Sequence, residues 1–246
     1  MRPLLVTGCQ RSGTTAFAEY MNDHEAVLLT RERYKYISPK DIAPEMFSFG
    51  RILQSEEGET NAPARYHSDL LLRKEPSRLK WLGDKNPGYV RSLPILSANI
   101  PDARFILLYR SVEEVAESFD AKANNPRDHW PEKNNFEAAI KVWNKAQQNT
   151  RRFIESHSDV AVLVIDYQDF FGDAVVSVPL LASFLELEFG PPVLHAWEQR
   201  SKAFREKRRE KAAPTRTRRW RLKRAKDHET DRWIRAYMEH QRRVLA

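Results

Sequence analysis

The chain has 246 residues, of which 41% are hydrophobic and 11% aromatic, a globular composition that excludes intrinsic disorder. Its one cysteine, Cys9, excludes an internal disulfide framework and fits a reducing compartment. The net charge of +7 is concentrated: residues 200–226 hold fourteen Lys or Arg against two Glu, a local +12 that leaves −5 for the remainder.

The apolar run Leu4–Thr7 reads as a short buried strand that opens into a glycine-containing loop, Gly8 to Gly13. That loop arrives before any secretory hydrophobic region could form, and no later stretch approaches the ~18 apolar residues that cross a bilayer. A cytoplasmic protein is expected. Thr14, Phe17, Ala18 and Met21 recur at helical spacing, and Ala26–Leu29 forms a second short apolar run, expected to lie beside the first strand. Residues 38–80 read as helical or irregular, punctuated by Pro39, Pro44, Pro63 and Pro76. Trp81 to Pro87 reads as a strand running into a turn, and Arg104–Tyr109 as a fully buried strand. Ser111 with Glu114 forms a capping box for the next helix. Helices are predicted over Phe136–Ser156, Val176–Leu187 and about 228–244, with a strand over Val160–Ile165. Strands apolar on both faces, alternating with helices, predict an α/β fold: a P-loop-type three-layer α/β/α domain with a mostly parallel central sheet, spanning 1–246.

The segment Gly8-Cys9-Gln10-Arg11-Ser12-Gly13-Thr14-Thr15 has the spacing of a phosphate-binding loop with one change. Thr14 stands where that pattern places lysine, and Thr15 keeps the hydroxyl. A strand before the loop and a helix after it let backbone N–H groups and the helix dipole converge on an anion. Arg11 can replace the missing lysine's charge with a bidentate fork.

This run resembles the PAPS-dependent sulfotransferases, closest to the tyrosylprotein-type and bacterial branch. In that family an Arg-Ser-Gly-Thr-Thr loop holds the 5′-phosphosulfate of 3′-phosphoadenosine 5′-phosphosulfate (PAPS). A second motif holds the 3′-phosphate with an Arg at a strand end and a Ser eight residues later. Arg110 and Ser118 match it, and the resemblance covers about residues 3–190. It implies that Gln10, Arg11, Ser12, Gly13, Thr14, Thr15, Arg110 and Ser118 bind the donor, with no metal required. Sulfuryl transfer needs a proton acceptor and a cation near the leaving phosphate. By its distance from Arg11, Glu32 matches the catalytic glutamate of the tyrosylprotein-type enzymes. Lys85, in the turn Leu82 to Pro87, matches the family's lysine beside the transferring sulfate, and Arg11 joins both as a catalytic cation. His24, in the turn ending the first helix, is the reserve base. Cys9 has no activating partner and reads as a small residue in a tight turn.

The basic segment loosely resembles the family's late loop over the nucleotide, with Trp220 stacking on adenine and Arg216, Arg218 or Arg219 meeting the 3′-phosphate. Its remaining charge fits a solvated face or peripheral contact with anionic surfaces, and thin aromatic interleaving argues against nucleic acid. Tyr34, Tyr36, Phe47, Phe49, Tyr66 and His67 are expected to line the acceptor pocket, for a small-molecule, glycan, lipid or peptide acceptor. Two other readings stay open. One is a P-loop kinase using Mg-ATP, with Val162 to Asp166 as a metal-binding strand and Thr15 as the other metal contact. The other is a non-catalytic anion-binding module.

Overall fold

Each strand alternates its side chains between two faces, as the two-residue repeat of an extended chain requires. The computed structural model describes every residue except 61, 63–66, 68, 71, 128, 129, 210–214 and 246. Its strands are β1 (Arg2–Gly8), β2 (Val27–Arg31), β3 (Trp81–Lys85), β4 (Arg104–Tyr109) and β5 (Val162–Asp166). They form one sheet in the order β2-β3-β1-β4-β5, and each neighbouring pair is parallel.

One expectation is corrected: β2 does not lie beside β1. β3 sits between them, with Gly83 opposite both Leu4 and Leu29. A Cβ on Gly83 would stand 1.7 Å from the Leu4 carbonyl oxygen, so only glycine admits this approach. Outer position suits β2, because the Asn22 side chain takes the Leu29 N–H (2.8 Å) and donates to the Leu29 carbonyl (2.9 Å). Gln241 does the same for the other edge, accepting from Val164 N (3.0 Å) and donating to Val162 O (2.8 Å). Each edge strand thus has two of its outward backbone groups satisfied, which blunts it as a template for another strand.

The helices are α1 (Thr14–Met21), α2 (Phe49–Leu53), α3 (Leu93–Asn99), α4 (Val112–Ala123) and α5 (Phe136–Ser156), followed by α6 (Tyr167–Gly172), α7 (Val178–Leu185), α8 (Pro191–Arg209), α9 (Arg216–Ala225) and α10 (His228–Leu245). Leu5, Phe105, Leu107 and Val164 face one layer, packing with Leu96, Val115, Trp143 and Ile234 of α3, α4, α5 and α10. Leu4, Val6, Ile106 and Leu163 face the other, with Phe17, Phe170, Leu181 and Trp197 of α1, α6, α7 and α8. Each such side chain, once buried, contributes about 1.5–3 kcal/mol. The result is the expected α/β/α arrangement.

Local signals set most boundaries. The Ser111 hydroxyl accepts from Glu114 N (3.4 Å) at the start of α4, and Asn135 Oδ1 accepts from Ala138 N (3.2 Å) at the start of α5. The helix predicted over Val176–Leu187 is shorter. A 3₁₀ turn occupies Ala174–Ser177, and Glu186 in the left-handed region (φ 54°) ends α7. Among the described residues, no helix is long and apolar enough to cross a membrane.

Candidate active site

Parallel strands bring their carboxyl ends to one side of the sheet, where open α/β folds place their ligands. There a cleft of about 930 Å³ opens, lined by the residues that follow β1, β2, β3 and β4 together with Tyr167 after β5.

The loop after β1 supplies Gln10, Arg11, Gly13, Thr14 and Thr15 to the cleft wall. Gly13 precedes α1 with φ 92°, and a Cβ there would lie 2.6 Å from the Tyr167 ring. Glycine is required twice over, by backbone and by space. The Gly13 carbonyl accepts from Phe17 N (2.9 Å) and so starts the helix whose first N–H groups face the cleft end of the sheet. Arg11 also adopts a left-handed backbone (φ 69°), which costs a non-glycine residue about 1–2 kcal/mol. Ser12 is fully buried, and its hydroxyl has no hydrogen-bond partner among the described residues.

Arg110 leaves the end of β4 toward this loop. Its Nη1 donates to the Arg11 carbonyl (2.8 Å), and Arg11 Nε donates to Ser118 Oγ (3.0 Å). The three residues predicted from two separate motifs are therefore in direct contact. Arg110 is 6% exposed, and its guanidinium lies 3.9 Å from the centroid of Tyr167. The Arg110 Nε is 3.8 Å from Glu114 Oε2 and lacks a hydrogen-bond partner among the described residues. Glu114 is held elsewhere, accepting from Gln168 Nε2 at 2.8 Å. A buried guanidinium with an unused donor is a ready anion contact.

Glu32 follows β2 with φ 51° and lines the cleft. Its Oε1 accepts from Lys85 Nζ at 2.9 Å, and Lys35 Nζ stands 3.3 Å from Oε2. Lys85, at the end of β3, is fully buried behind Glu32. Burial pushes the Glu32 carboxyl up, but Lys85 and Lys35 together outweigh it and hold the group below its usual 4.5. For Lys85, burial wins over Glu32 and Asp84, and the ammonium falls below its usual 10.5. Glu32 is therefore ionised at neutral pH. The cleft wall carries the cations Arg11, Arg31, Lys35, Arg91, Arg110 and Lys122, against Glu32 as its one acid among the described residues.

Other expected residues lie elsewhere. His24 is buried, its Nε2 2.9 Å from the Glu188 carbonyl and its Nδ1 accepting from Ala26 N at 3.1 Å, so both ring nitrogens serve the turn. Cys9 is buried, which pushes its thiol up to about 12 and leaves it inert. Asp166 caps α6, accepting from Gln168 N (2.7 Å) and Asp169 N (3.2 Å), and it lines a different cleft with Tyr109 and Arg235. The strand-end acid and Thr15 are not brought together. Arg218 pairs with Asp120 at 2.5 Å, two residues past Ser118, whereas Trp220 is 59% exposed and outside the cleft wall. Arg216 is exposed, and the Arg219 side chain lies outside the described residues. Of the aromatics expected around the acceptor, Tyr34 and Tyr36 line the cleft. Phe47 packs in the core against Tyr34, Phe49 packs against Leu28 and Ile52, and His67 Nε2 is 3.3 Å from Arg31 N. Tyr66 lies outside the described residues.

Sequence reading missed Tyr167 as the platform under Arg110, and the cations Arg31, Lys35, Arg91 and Lys122. The position of Tyr167 directly after a buried strand was the available signal. The cations carried none, because lone surface charges look alike in sequence. Among the described residues, no group of three or more His, Cys, Asp or Glu is placed to hold a metal ion.

Among curated proteins none matches the chain. A solved sulfotransferase domain from the olefin synthase of Synechococcus PCC 7002 is similar in fold at 16% identity, with a TM-score of 0.56, covering 87% of this chain and 89% of that one. A sulfotransferase domain from the curacin biosynthetic pathway is similar at 20% identity, with a TM-score of 0.52 and coverage of 78% and 76%. Sulfotransferase STF1 from Mycobacterium tuberculosis H37Rv is similar at 16% identity, with a TM-score of 0.52 and coverage of 80% and 70%. The model of the sulfotransferase family matches residues 3–191, a span that includes the loop, Glu32, Lys85, Arg110 and Ser118, and the chain belongs to that family.

Proposed function

We propose that this protein moves a sulfuryl group from PAPS to an acceptor hydroxyl or amine. The observation that carries this reading is the contact of Arg11, Arg110 and Ser118, which knits the β1 loop to the end of β4 and leaves a buried Arg110 Nε unused. Residues Gln10 to Thr15 would hold the 5′-phosphosulfate, with backbone N–H groups and the α1 dipole. Arg110 and Ser118 would hold the 3′-phosphate. Arg218, tied to the Ser118 helix through Asp120, would support that end, and Trp220 would meet the adenine when the donor is bound. The set fits a nucleotide that is anionic at both its 3′ and 5′ ends, since six cations face the cleft against one acid.

In the step itself, Glu32 takes the acceptor's proton while the acceptor atom forms a bond to sulfur. The bond between sulfur and the phosphate oxygen breaks, and its electron pair stays on that oxygen. Lys85 and Arg11 offset the charge that develops there, and adenosine 3′,5′-bisphosphate leaves. An ionised Glu32 is prepared for this at neutral pH, because Lys85 and Lys35 keep its proton off. Tyr34 and Tyr36 would form the acceptor wall for a small molecule, glycan, lipid or peptide. The single buried cysteine supports a cytoplasmic setting.

Incubation with sulfur-labelled PAPS and a panel of phenols, sugars and amines tests the reading. Label should pass to one acceptor class with stoichiometric release of the bisphosphate; failure to consume PAPS with any acceptor would contradict it.

A further inference from the structure

The chain around Glu32 is held in an unusual shape, and the group that holds it is a second acid. Asp84 is fully buried. Its Oδ1 accepts from Arg33 N at 2.9 Å and lies 2.9 Å from Thr30 Oγ1, whose single proton is shared with the Gly83 carbonyl at 3.0 Å. Its Oδ2 accepts from Tyr89 Oη–H at 2.7 Å. These three contacts bracket the reacting pair. Thr30 and Arg33 flank Arg31 and Glu32, and Tyr89 lies in the 3₁₀ turn Pro87–Arg91 that follows Lys85. Between Thr30 and Arg33, the backbone passes through the left-handed region at Glu32, a conformation that a non-glycine residue keeps only when its surroundings impose it. Two further bonds complete the clamp: Glu32 N donates to Lys85 O (2.8 Å), and Thr60 Oγ1 donates to Glu32 O (2.7 Å).

We infer that Asp84 is a positioning residue for sulfuryl transfer, a buried carboxylate that fixes the Glu32 turn against the buried Lys85 so that the base keeps its place on the cleft wall. The inference rests on the reading of Glu32 as the base. Along β3, successive side chains point to opposite faces, so Asp84 and Lys85 leave the strand on different sides. Asp84 does not line the cleft; it holds the Arg33 backbone and the Thr30 and Tyr89 hydroxyls, and its charge also bears on Lys85. Three hydrogen bonds converge on this buried carboxylate, which makes no ion pair among the described residues. Retaining a buried acid there is intelligible if the turn, and not the core, is what it serves. Displacing a catalytic group by about 1 Å can cost on the order of 10²-fold in rate without touching affinity.

The test compares Asp84→Asn, Thr30→Val and Glu32→Gln with the parent protein. Two quantities are read: the rate of bisphosphate release from PAPS, with 2-naphthol and with water alone as acceptor, and the calorimetric Kd for adenosine 3′,5′-bisphosphate. For Asp84→Asn, kcat should fall by roughly 10²-fold with Kd changed less than about two-fold. Thr30→Val, which keeps the carboxylate and its Arg33 bond, should lose less. A fall in melting temperature with kcat of the folded Asp84→Asn protein unchanged, while Glu32→Gln is inactive, would overturn the positioning role alone. Full activity in Glu32→Gln would overturn the base assignment and this inference with it. If Asp84→Asn does not fold, Thr30→Val decides: unchanged kcat overturns the inference, and reduced kcat at unchanged Kd supports it.

Discussion

Glu32 and Lys85 are oppositely charged, 2.9 Å apart and unequally buried, and their titration sets the expected pH dependence. Glu32 must be ionised, and its pKa is held below 4.5, so activity should persist to below that pH before falling on the acid side. Lys85 must be protonated, and burial lowers it from 10.5, so activity should fall on the alkaline side before that value is reached. Lys85→Met should lower kcat by roughly 10²-fold or more and shift the acid limb toward the ordinary carboxylate range, since Glu32 loses its nearest cation. A pH–rate profile of parent and variant checks both. At this scale, the sequence was most readable where a residue's neighbours define it. Arg11, Arg110 and Ser118 came from two motifs, and the fold brings them into contact. Glu32 came from a softer spacing, and what places it, the register of β2 and β3 and the bond from Arg33 N to Asp84 of β3, was invisible before the sheet order was known.

Elements are held by polar residues as much as by the core. Arg33 is fully buried and pairs with Glu59 at 2.5 Å, while Arg51 pairs with the same carboxylate from the other side. Burial pushes Glu59 up, but its hydrogen bonds from Arg51, the Glu56 backbone and Arg33 bring it down to about 2. Its folded pKa is depressed, so its stabilisation is complete above 4.5 and is lost as pH falls from 4.5 through about 2. Glu59→Gln leaves Arg33 charged and buried and should cost about 3–5 kcal/mol, read by urea unfolding at pH 7. That loss should shrink in acid, where the parent carboxylate is itself protonated. Gly13→Ala should abolish bisphosphate binding with less effect on unfolding, because a Cβ at φ 92° meets Tyr167 across the donor loop. The long helix Phe136–Ser156 was legible because its apolar face repeats over many turns. The order β2-β3-β1 was not, because short apolar strands offer no local cue to their neighbours. The α7 start was displaced by the 3₁₀ turn Ala174–Ser177, which a helical pattern cannot distinguish from a first helical turn.

Across the whole molecule, charge is distributed in a way that matches the cleft. Six cations line it, and α9 adds exposed Arg216, Lys223 and Arg224 beyond Arg218. A field of this sign draws an anionic nucleotide toward the carboxyl end of the sheet, so its association rate should drop as salt rises. Stopped-flow binding at two ionic strengths would show this, and equal rates would assign the basic segment to a solvated face. The most direct single measurement is a calorimetric titration with adenosine 3′,5′-bisphosphate in the absence of metal, set against ATP with magnesium. The bisphosphate should bind tightly without metal, ATP should bind more weakly, and Arg110→Ala should remove the difference. Preference for magnesium-ATP, undisturbed by Arg110→Ala, would contradict a PAPS site.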